Sequence, residues 1–176
     1  MNRIGFFKKV SFKQFKKDWY KTFENNDIYN TKTDEELQEI YDNIILPERK
    51  TSGSAGYDFH IPFKCVIPVN SNITIPTGIR CYMEDGWVLK EYPRSGLGFK
   101  TGIHMANTCG IIDADYYNAD NEGHIMIKLV NDSSFAKLVK FEAGDAFCQG
   151  IFVQFGVTYD DDVNEKRTGG LGSTGR

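Results

Sequence analysis

The sequence has no run of about 18 apolar residues, so it predicts no membrane-spanning helix. Its first ten residues, MNRIGFFKKV, contain no apolar stretch long enough for a signal peptide. The four cysteines form no CxxC pair and the three histidines lie far apart, which argues against a zinc site. Because each cysteine stands among apolar residues, we expect buried, reduced thiols and a cytoplasmic location.

The sequence also has no excess of positive charge. The net charge of −3 argues against general nucleic-acid binding. Residues 1–23 carry seven Lys or Arg and one Asp, a net of +6, whereas residues 24–46 carry seven acidic residues and one Lys, a net of −6. The two blocks are therefore complementary in charge. With 176 residues and 40% hydrophobic content, the chain is long enough for one globular domain.

Two helices are predicted before residue 47. Ser11 and Thr33 are candidate N-caps, and Gln14 and Glu36 would complete a capping box in each case. Aromatic residues recur at helical spacing after Ser11, with lysines between them. This first helix could lie on a membrane surface, but packing on the core or on the acidic second helix is the favoured interpretation. We expect Pro47 to end the second helix.

Residues from Tyr57 onward predict a mainly β fold. Short segments rich in β-branched and aromatic residues are separated by Gly, Pro, Asn and Asp, which is typical of a sandwich or barrel. The segments are ITIPTGIRCYM, WVLKEY, HIMIKLVN, KLVKFEAG and FCQGIFVQF. The predicted organisation is a helical extension over 1–46, a β core over 47–156 and a flexible C-terminal arm over 157–176.

Three polar stretches are candidates for chemistry. PRSGLGFKTG (93–102) could bring backbone N–H groups, a hydroxyl and a guanidinium to one phosphate, although by itself it favours a tight turn between strands. Asp113 follows two isoleucines, so we expect it at a strand end near a cavity, where a carboxylate can deprotonate water. Asp113 and Asp115 also form DxD, which indicates either a metal site or a solvated turn. The glycine-rich tail 167–175 is either disordered or able to fold over phosphates.

Together and in their order, five stretches resemble the five motifs of the trimeric dUTP diphosphatases (dUTPases). They span residues 54–175, about two-thirds of the chain. They are SAGYDF, PRSGLGFKTGI, GIIDADY continuing through GHIMIKLVN, GDAFCQGIF and RTGGLGSTG.

The resemblance implies a role for each matching residue. Asp113 matches the carboxylate that activates the attacking water, and Asp58 an acidic residue that acts on the metal through water. Tyr116 matches the ring that packs on deoxyribose and leaves no room for a 2′-hydroxyl. Phosphate contacts are implied for Arg94, Ser95, Gly96 and Gln149. Recognition of the uracil edge is implied for Asn107, Gly110, Ile112 and Met126. Closure of the tail over the triphosphate is implied for Arg167, Leu171, Gly172, Ser173 and Thr174.

The resemblance also implies a whole-protein picture. The family fold is a distorted β jelly roll, here carrying an N-terminal extension of two short helices. The reaction converts dUTP to dUMP and pyrophosphate, with Mg²⁺ on the triphosphate. The expected assembly is a homotrimer that shares its active sites between subunits, in the cytoplasm of a bacterial host.

Two departures from the family pattern bear on the site. Leu171 replaces the aromatic residue that many relatives place over uracil, and Tyr117 is a candidate replacement. The loop 117–122 is longer than the compact turn of many relatives and resembles the Gram-positive and phage branch.

Two other functions remain open. One is a dUTP-binding regulatory module that contacts a protein partner through the N-terminal helices or the 117–122 loop. The other is a dCTP deaminase on the same fold, which the intact GIIDADY and glycine-rich tail disfavour.

Overall fold

The computed structural model describes residues 2–132, 137–165, 167 and 169. Within them the chain is built mainly of antiparallel strands, so the expected mainly β architecture is confirmed. The strands are β1 (Gly5–Lys9), β2 (Tyr57–His60), β3 (Cys65–Ile67), β4 (Ser71–Pro76), β5 (Ile79–Met83), β6 (Trp87–Pro93), β7 (His104–Met105), β8 (Gly110–Asp113), β9 (Met126–Asn131), β10 (Val139–Phe141) and β11 (Ala146–Gln154). The helices are α1 (Phe12–Thr22), α2 (Asp27–Asn30), α3 (Asp34–Asp42), α4 (Ser95–Thr101) and a 3-10 helix, Ala114–Asn118.

The strands form four small sheets that fit a jelly-roll arrangement. The largest has the order β2-β11-β6-β8, the next β4-β9-β7, and two pairs are β1-β5 and β10-β3. Neighbouring strands are mostly distant in sequence, as the crossing connections of a jelly roll require. One apolar core includes buried residues of the three N-terminal helices and of most strands up to β11, with Phe7 of β1 and Leu97 of α4 packed against it.

The two predicted N-terminal helices are present and pack on this core. Phe15 and Trp19 of α1 are completely buried, which confirms the core-packed interpretation over the membrane-surface one. Thr33 and Glu36 form a full capping box on α3. Ser11 caps α1 by accepting from the Gln14 backbone N–H, but the Gln14 side chain donates to Asp18 and does not return to the cap.

Four local features differ from the sequence prediction. The strand β1 is unexpected, and it pairs with β5 over its whole length, so the N-terminal segment is part of a sheet as well as of helices. α2 is an additional single turn. PRSGLGFKTG is mostly the helix α4 and not a tight turn; Gly102 ends it with a left-handed φ of 71°. α3 ends at Asp42, before the proline expected to stop it.

The two oppositely charged blocks contact each other. Lys16 of α1 and Asp34 of α3 form an ion pair of 2.7 Å. The Lys9 ammonium donates to the carbonyls of Tyr41 and Asp42 at the C-terminal end of α3, where helix carbonyls lack partners. Lysines of β1 and α1 thus hold α3 in place through these contacts.

The four cysteines are free, as expected. Three are buried, and burial raises the pKa of the Cys65 thiol to about 12, which makes it inert. Cys109 differs from the expectation because it is only partly buried.

Candidate active site

Asp113 is the last residue of β8, so it lies at a strand end as predicted. Its side chain is 55% exposed, and it opposes Val88 of β6 in the sheet register. The Arg167 guanidinium lies 3.1 Å from a carboxylate oxygen of Asp113 and 3.4 Å from one of Asp115. Both carboxylates of the DxD pair therefore face one cation. In the described part of the chain no three His, Cys, Asp or Glu side chains gather as a metal site.

Tyr116 lies next to these carboxylates, in the 3-10 helix that follows β8. It is buried, and its hydroxyl donates to the His124 carbonyl at 2.8 Å and accepts from the Asn121 amide at 2.8 Å. Burial raises the pKa of this phenol. The Arg167 guanidinium lies over the ring, 4.9 Å from its centre. Tyr116 is therefore held from both sides, by Arg167 above and by hydrogen bonds below.

A second group of predicted residues lines a cavity of 820 Å³ at the other end of β6. Arg94, which follows β6, is 3.3 Å from a carboxylate oxygen of Asp58. Gln149 opposes Asp58 in the β2-β11 register, so both side chains are on the same face of the sheet. Ser95 and Gly96 begin α4, and the space around the Gly96 Cα is open, with no heavy atom within 4 Å of where a Cβ would stand. The five predicted residues of this group thus share one open, polar cavity.

The residues expected to read uracil lie in the turn and strands around β8. Asn107 is exposed in the turn before β8, and Ile112 is buried within it. Gly110 begins β8, and a Cβ there would lie 2.7 Å from a carboxylate oxygen of Glu91. Only glycine fits at that position without a shift. Met126 begins β9 and lines a separate cavity of 430 Å³ beside α1.

Within one chain the two groups of residues are far apart. Asp113 is paired with Val88, and Arg94 lies six residues further along the chain, just beyond the end of β6. At roughly 3.3 Å per residue the separation is about 20 Å, much longer than a triphosphate. A single chain therefore does not bring Asp113 and Arg94 to one substrate.

The tail can be followed only in part. Leu171, Gly172, Ser173 and Thr174 lie outside the described residues. Tyr117, the candidate replacement for the missing aromatic residue, has its ring under the Arg80 guanidinium at 3.7 Å and against Phe6 and Tyr82. Its ring is thus already packed within the chain.

Several residues around the two groups are not evident from the sequence. Lys50, Lys100 and Lys140 add positive charge to the 820 Å³ cavity. Lys100 has a sequence signal, because it lies within the PRSGLGFKTG stretch. The other two come from segments with no motif, and only the fold brings them close. Glu91 has no clear signal in the sequence, because the strand segment WVLKEYP also carries the charged Lys90.

The sequence is similar to known dUTPases over most of its length. A family model described as dUTPase matches residues 42–175. The deoxyuridine 5′-triphosphate nucleotidohydrolase of Lactococcus lactis is 42% identical over 135 residues, covering 75% of this chain and 89% of that protein. The enzyme of the same name from Wolinella succinogenes is 31% identical, covering 80% and 93%.

Solved structures give the same picture. The dUTPase from Streptococcus mutans superposes with a TM-score of 0.59 at 36% identity, covering 66% of this chain and 90% of that one. The dUTPase from phage phi11 of Staphylococcus aureus has a TM-score of 0.59 at 22% identity, covering 72% and 94%. At that identity the phage protein supports the fold alone.

The described residues of this chain contain no helix whose length and apolar content would let it span a bilayer.

Proposed function

The chain belongs to the dUTPase family and is a dUTP diphosphatase, and we propose that Asp113 is the general base of its reaction. The carrying observation is a carboxylate that is exposed at a strand end, next to a buried tyrosine and a cation. In the proposed reaction Asp113 takes a proton from water as that water attacks the α-phosphorus. The bond to the bridging oxygen breaks, and dUMP and pyrophosphate leave.

The second group of residues is proposed to bind the triphosphate. Arg94, Ser95, Gly96 and Gln149 line the 820 Å³ cavity, and a guanidinium there can donate two parallel hydrogen bonds to phosphate oxygens. Cations placed where negative charge develops lower the barrier most when water is excluded. The lysines of the same cavity add to that positive field.

The cavity residues also fit a divalent metal that is carried on the substrate. Asp58 and Asp145 bring carboxylates to the cavity, and Asp58 is already paired with Arg94 at 3.3 Å. Two carboxylates suit Mg²⁺, which keeps several waters and binds phosphates. We propose that Asp58 acts on Mg²⁺ through water. When bound, the ion neutralises charge on the phosphate oxygens.

Nucleoside recognition is proposed for the residues around β8. When Arg167 leaves its face, the ring of Tyr116 would pack on deoxyribose and exclude a 2′-hydroxyl. Uracil would be read by the Asn107 side chain and by the backbone around Gly110, Ile112 and Met126. The crowding at position 110 supports a backbone role there, because a Cβ would lie 2.7 Å from a carboxylate oxygen of Glu91 and glycine has none.

The separation of the two groups supports a site shared between subunits of a homotrimer. Since Asp113 and Arg94 are about 20 Å apart in one chain, a second copy must supply one of them. Ile111 of β8, two residues before Asp113, is 53% exposed and would be covered at such an interface. The tail residues Arg167 and 171–174 are proposed to close over the triphosphate.

The test of the general base is Asp113→Asn, with Asp115→Asn as the matched control. Both side chains contact Arg167, so each variant removes one of its two ion pairs. We expect Asp113→Asn to bind dUTP but to lose roughly 10²–10⁴-fold in kcat, and Asp115→Asn to keep most of its turnover. Pyrophosphate release measures kcat, and calorimetry with a non-hydrolysable analogue measures binding. Near-native turnover of Asp113→Asn would refute the assignment.

The relatives named above are all dUTPases, which favours hydrolysis over the deaminase alternative. A regulatory protein partner stays a prediction. The apolar face of α1 is buried in the core, so a partner would have to contact the exposed faces of the N-terminal helices or the 117–122 loop.

A further inference from the structure

The N-terminal segment that precedes the family match contacts the segment that carries Tyr116. The family model begins at residue 42, so α1 lies outside it. Yet Asp18 of α1 places a carboxylate oxygen 2.6 Å from Nδ1 of His124, a residue with no exposed surface. The Gln14 amide donates to the same oxygen at 2.8 Å. A buried polar contact thus joins the extension to the loop after β8.

The hydrogen bonds of His124 define its proton position. The backbone N–H of Gly78 donates to Nε2 at 2.8 Å, so Nε2 carries no proton. Nδ1 must then carry the proton and donate it to Asp18. The ring is therefore neutral and its orientation is fixed from both ends, by Gly78 of the core and by Asp18 of the extension.

His124 in turn holds Tyr116. Its carbonyl accepts the Tyr116 hydroxyl at 2.8 Å, and Asn121 donates to that hydroxyl from within the same loop. Gly123, with a φ of 67°, passes so close that a Cβ there would lie 2.5 Å from the Tyr116 carbonyl. The backbone of His124 is therefore in direct contact with Tyr116, at its hydroxyl.

A second contact joins α1 to the loop at its other end. The backbone N–H and the hydroxyl of Ser11, the N-cap of α1, both donate to the Glu122 carboxylate, at 2.7 and 2.6 Å. A carboxylate at the first turn of a helix is also favoured by the helix dipole. The loop is thus attached to α1 at Glu122 and at His124, on either side of the Gly123 turn.

We propose that Asp18 is a positioning residue for sugar selection: through His124 it fixes the Tyr116 ring, so the N-terminal extension contributes to the preference for dUTP over UTP. This inference rests on the proposed sugar contact of Tyr116. Asp18 touches no substrate, and its effect is on substrate discrimination and KM, with the chemical step left to Asp113.

The experiment compares kcat and KM for dUTP and UTP in Asp18→Ala and Asp18→Asn. Asp18→Ala leaves the buried Nδ1–H of His124 without an acceptor, and we expect the dUTP:UTP ratio of kcat/KM to fall about tenfold, the effect of one charge-assisted hydrogen bond. KM for dUTP should rise while kcat stays within about twofold. Asp18→Asn keeps an acceptor oxygen and should restore most of the ratio.

Asp34→Ala is the control. It removes an exposed ion pair to α1 without touching the loop, so it should leave the ratio unchanged. Should Asp18→Ala not fold, Glu122→Ala is the second variant. It removes the contact of the Glu122 carboxylate with Ser11 and should also lower the dUTP:UTP ratio of kcat/KM. An unchanged ratio in the folded variants, or an equal fall in Asp34→Ala, overturns the inference.

Tyr116→Ala separates this inference from the function on which it rests. A lowered ratio in Tyr116→Ala together with an unchanged ratio in Asp18→Ala defeats the positioning role alone. An unchanged ratio in Tyr116→Ala defeats both that role and the proposed sugar contact.

Discussion

Glu91 makes the free energy of unfolding of this protein depend on pH. The substitution Glu91→Gln removes the group responsible and so measures its contribution. Its carboxyl group is buried beneath Gly110, and Oε1 has no hydrogen-bond partner among the described residues. Burial raises its pKa from 4.5 to about 8, because the charged form cannot be solvated there. The folded protein therefore holds a neutral acid at pH 7, whereas the unfolded chain holds a carboxylate.

The size and sign of the effect follow from the two pKa values. Well below pH 4.5 both states are protonated and the free energy of unfolding is unaffected by this group. Between pH 4.5 and about 8 only the unfolded state loses the proton, so stability falls by about 1.4 kcal/mol per pH unit. The loss is about 3.3 kcal/mol at pH 7 and about 4.3 kcal/mol at pH 8. Above about pH 8 the folded state ionises too and the loss levels off.

Glu91→Gln keeps the shape of the side chain and removes the ionisation. We expect the unfolding free energy of the variant, minus that of the wild type, to rise by about 2.5 kcal/mol from about pH 6 to about pH 8 and then to level off. Urea denaturation at a fixed protein concentration measures it, since assembly would make stability depend on concentration. The exposed Glu84→Gln is the matched control and should show no such slope. A flat difference for Glu91→Gln would show that this carboxyl is ionised in the folded protein.

Two further predictions concern the N-terminal extension and the tail. Thr33→Ala removes the cap of α3 and should lower the unfolding free energy by about 1 kcal/mol, while kcat with saturating dUTP stays unchanged; denaturation and a turnover assay check the two parts. Leu171→Phe restores an aromatic residue to the tail and should tighten dUTP binding by roughly 1–3 kcal/mol in titration calorimetry. Unchanged affinity would indicate that another ring already serves.

Patterns of local origin can be predicted well from the sequence. The caps at Ser11 and Thr33, the core face of α1 and the strand that ends at Asp113 each depend on residues close in the chain. A helix period or an alternation with turn residues records that information directly. The five ordered motifs add the family and the roles proposed for the residues.

Features that depend on distant residues cannot be predicted in this way. β1 forms because residues 5–9 pair with β5, far along the chain, and nothing in GFFKK specifies that pairing. The two internal glycines of α4 disfavour a helix and favour a turn, and the structure overrides that propensity. The contacts of Asp18 and Glu91 likewise join residues without a common motif.

The placement of Asp113 and Arg94 near opposite ends of β6 has a genetic consequence. Suppose that each active site takes Asp113 from one chain and Arg94 from another. In an assembly that mixes two kinds of mutant chain, the two substitutions can then fall in different active sites. Chains that lack only Asp113 and chains that lack only Arg94 are each inactive alone, yet together they can rebuild intact sites at some of their interfaces. Two null alleles of this gene would then complement each other within one oligomer, as alleles of a self-contained active site would not.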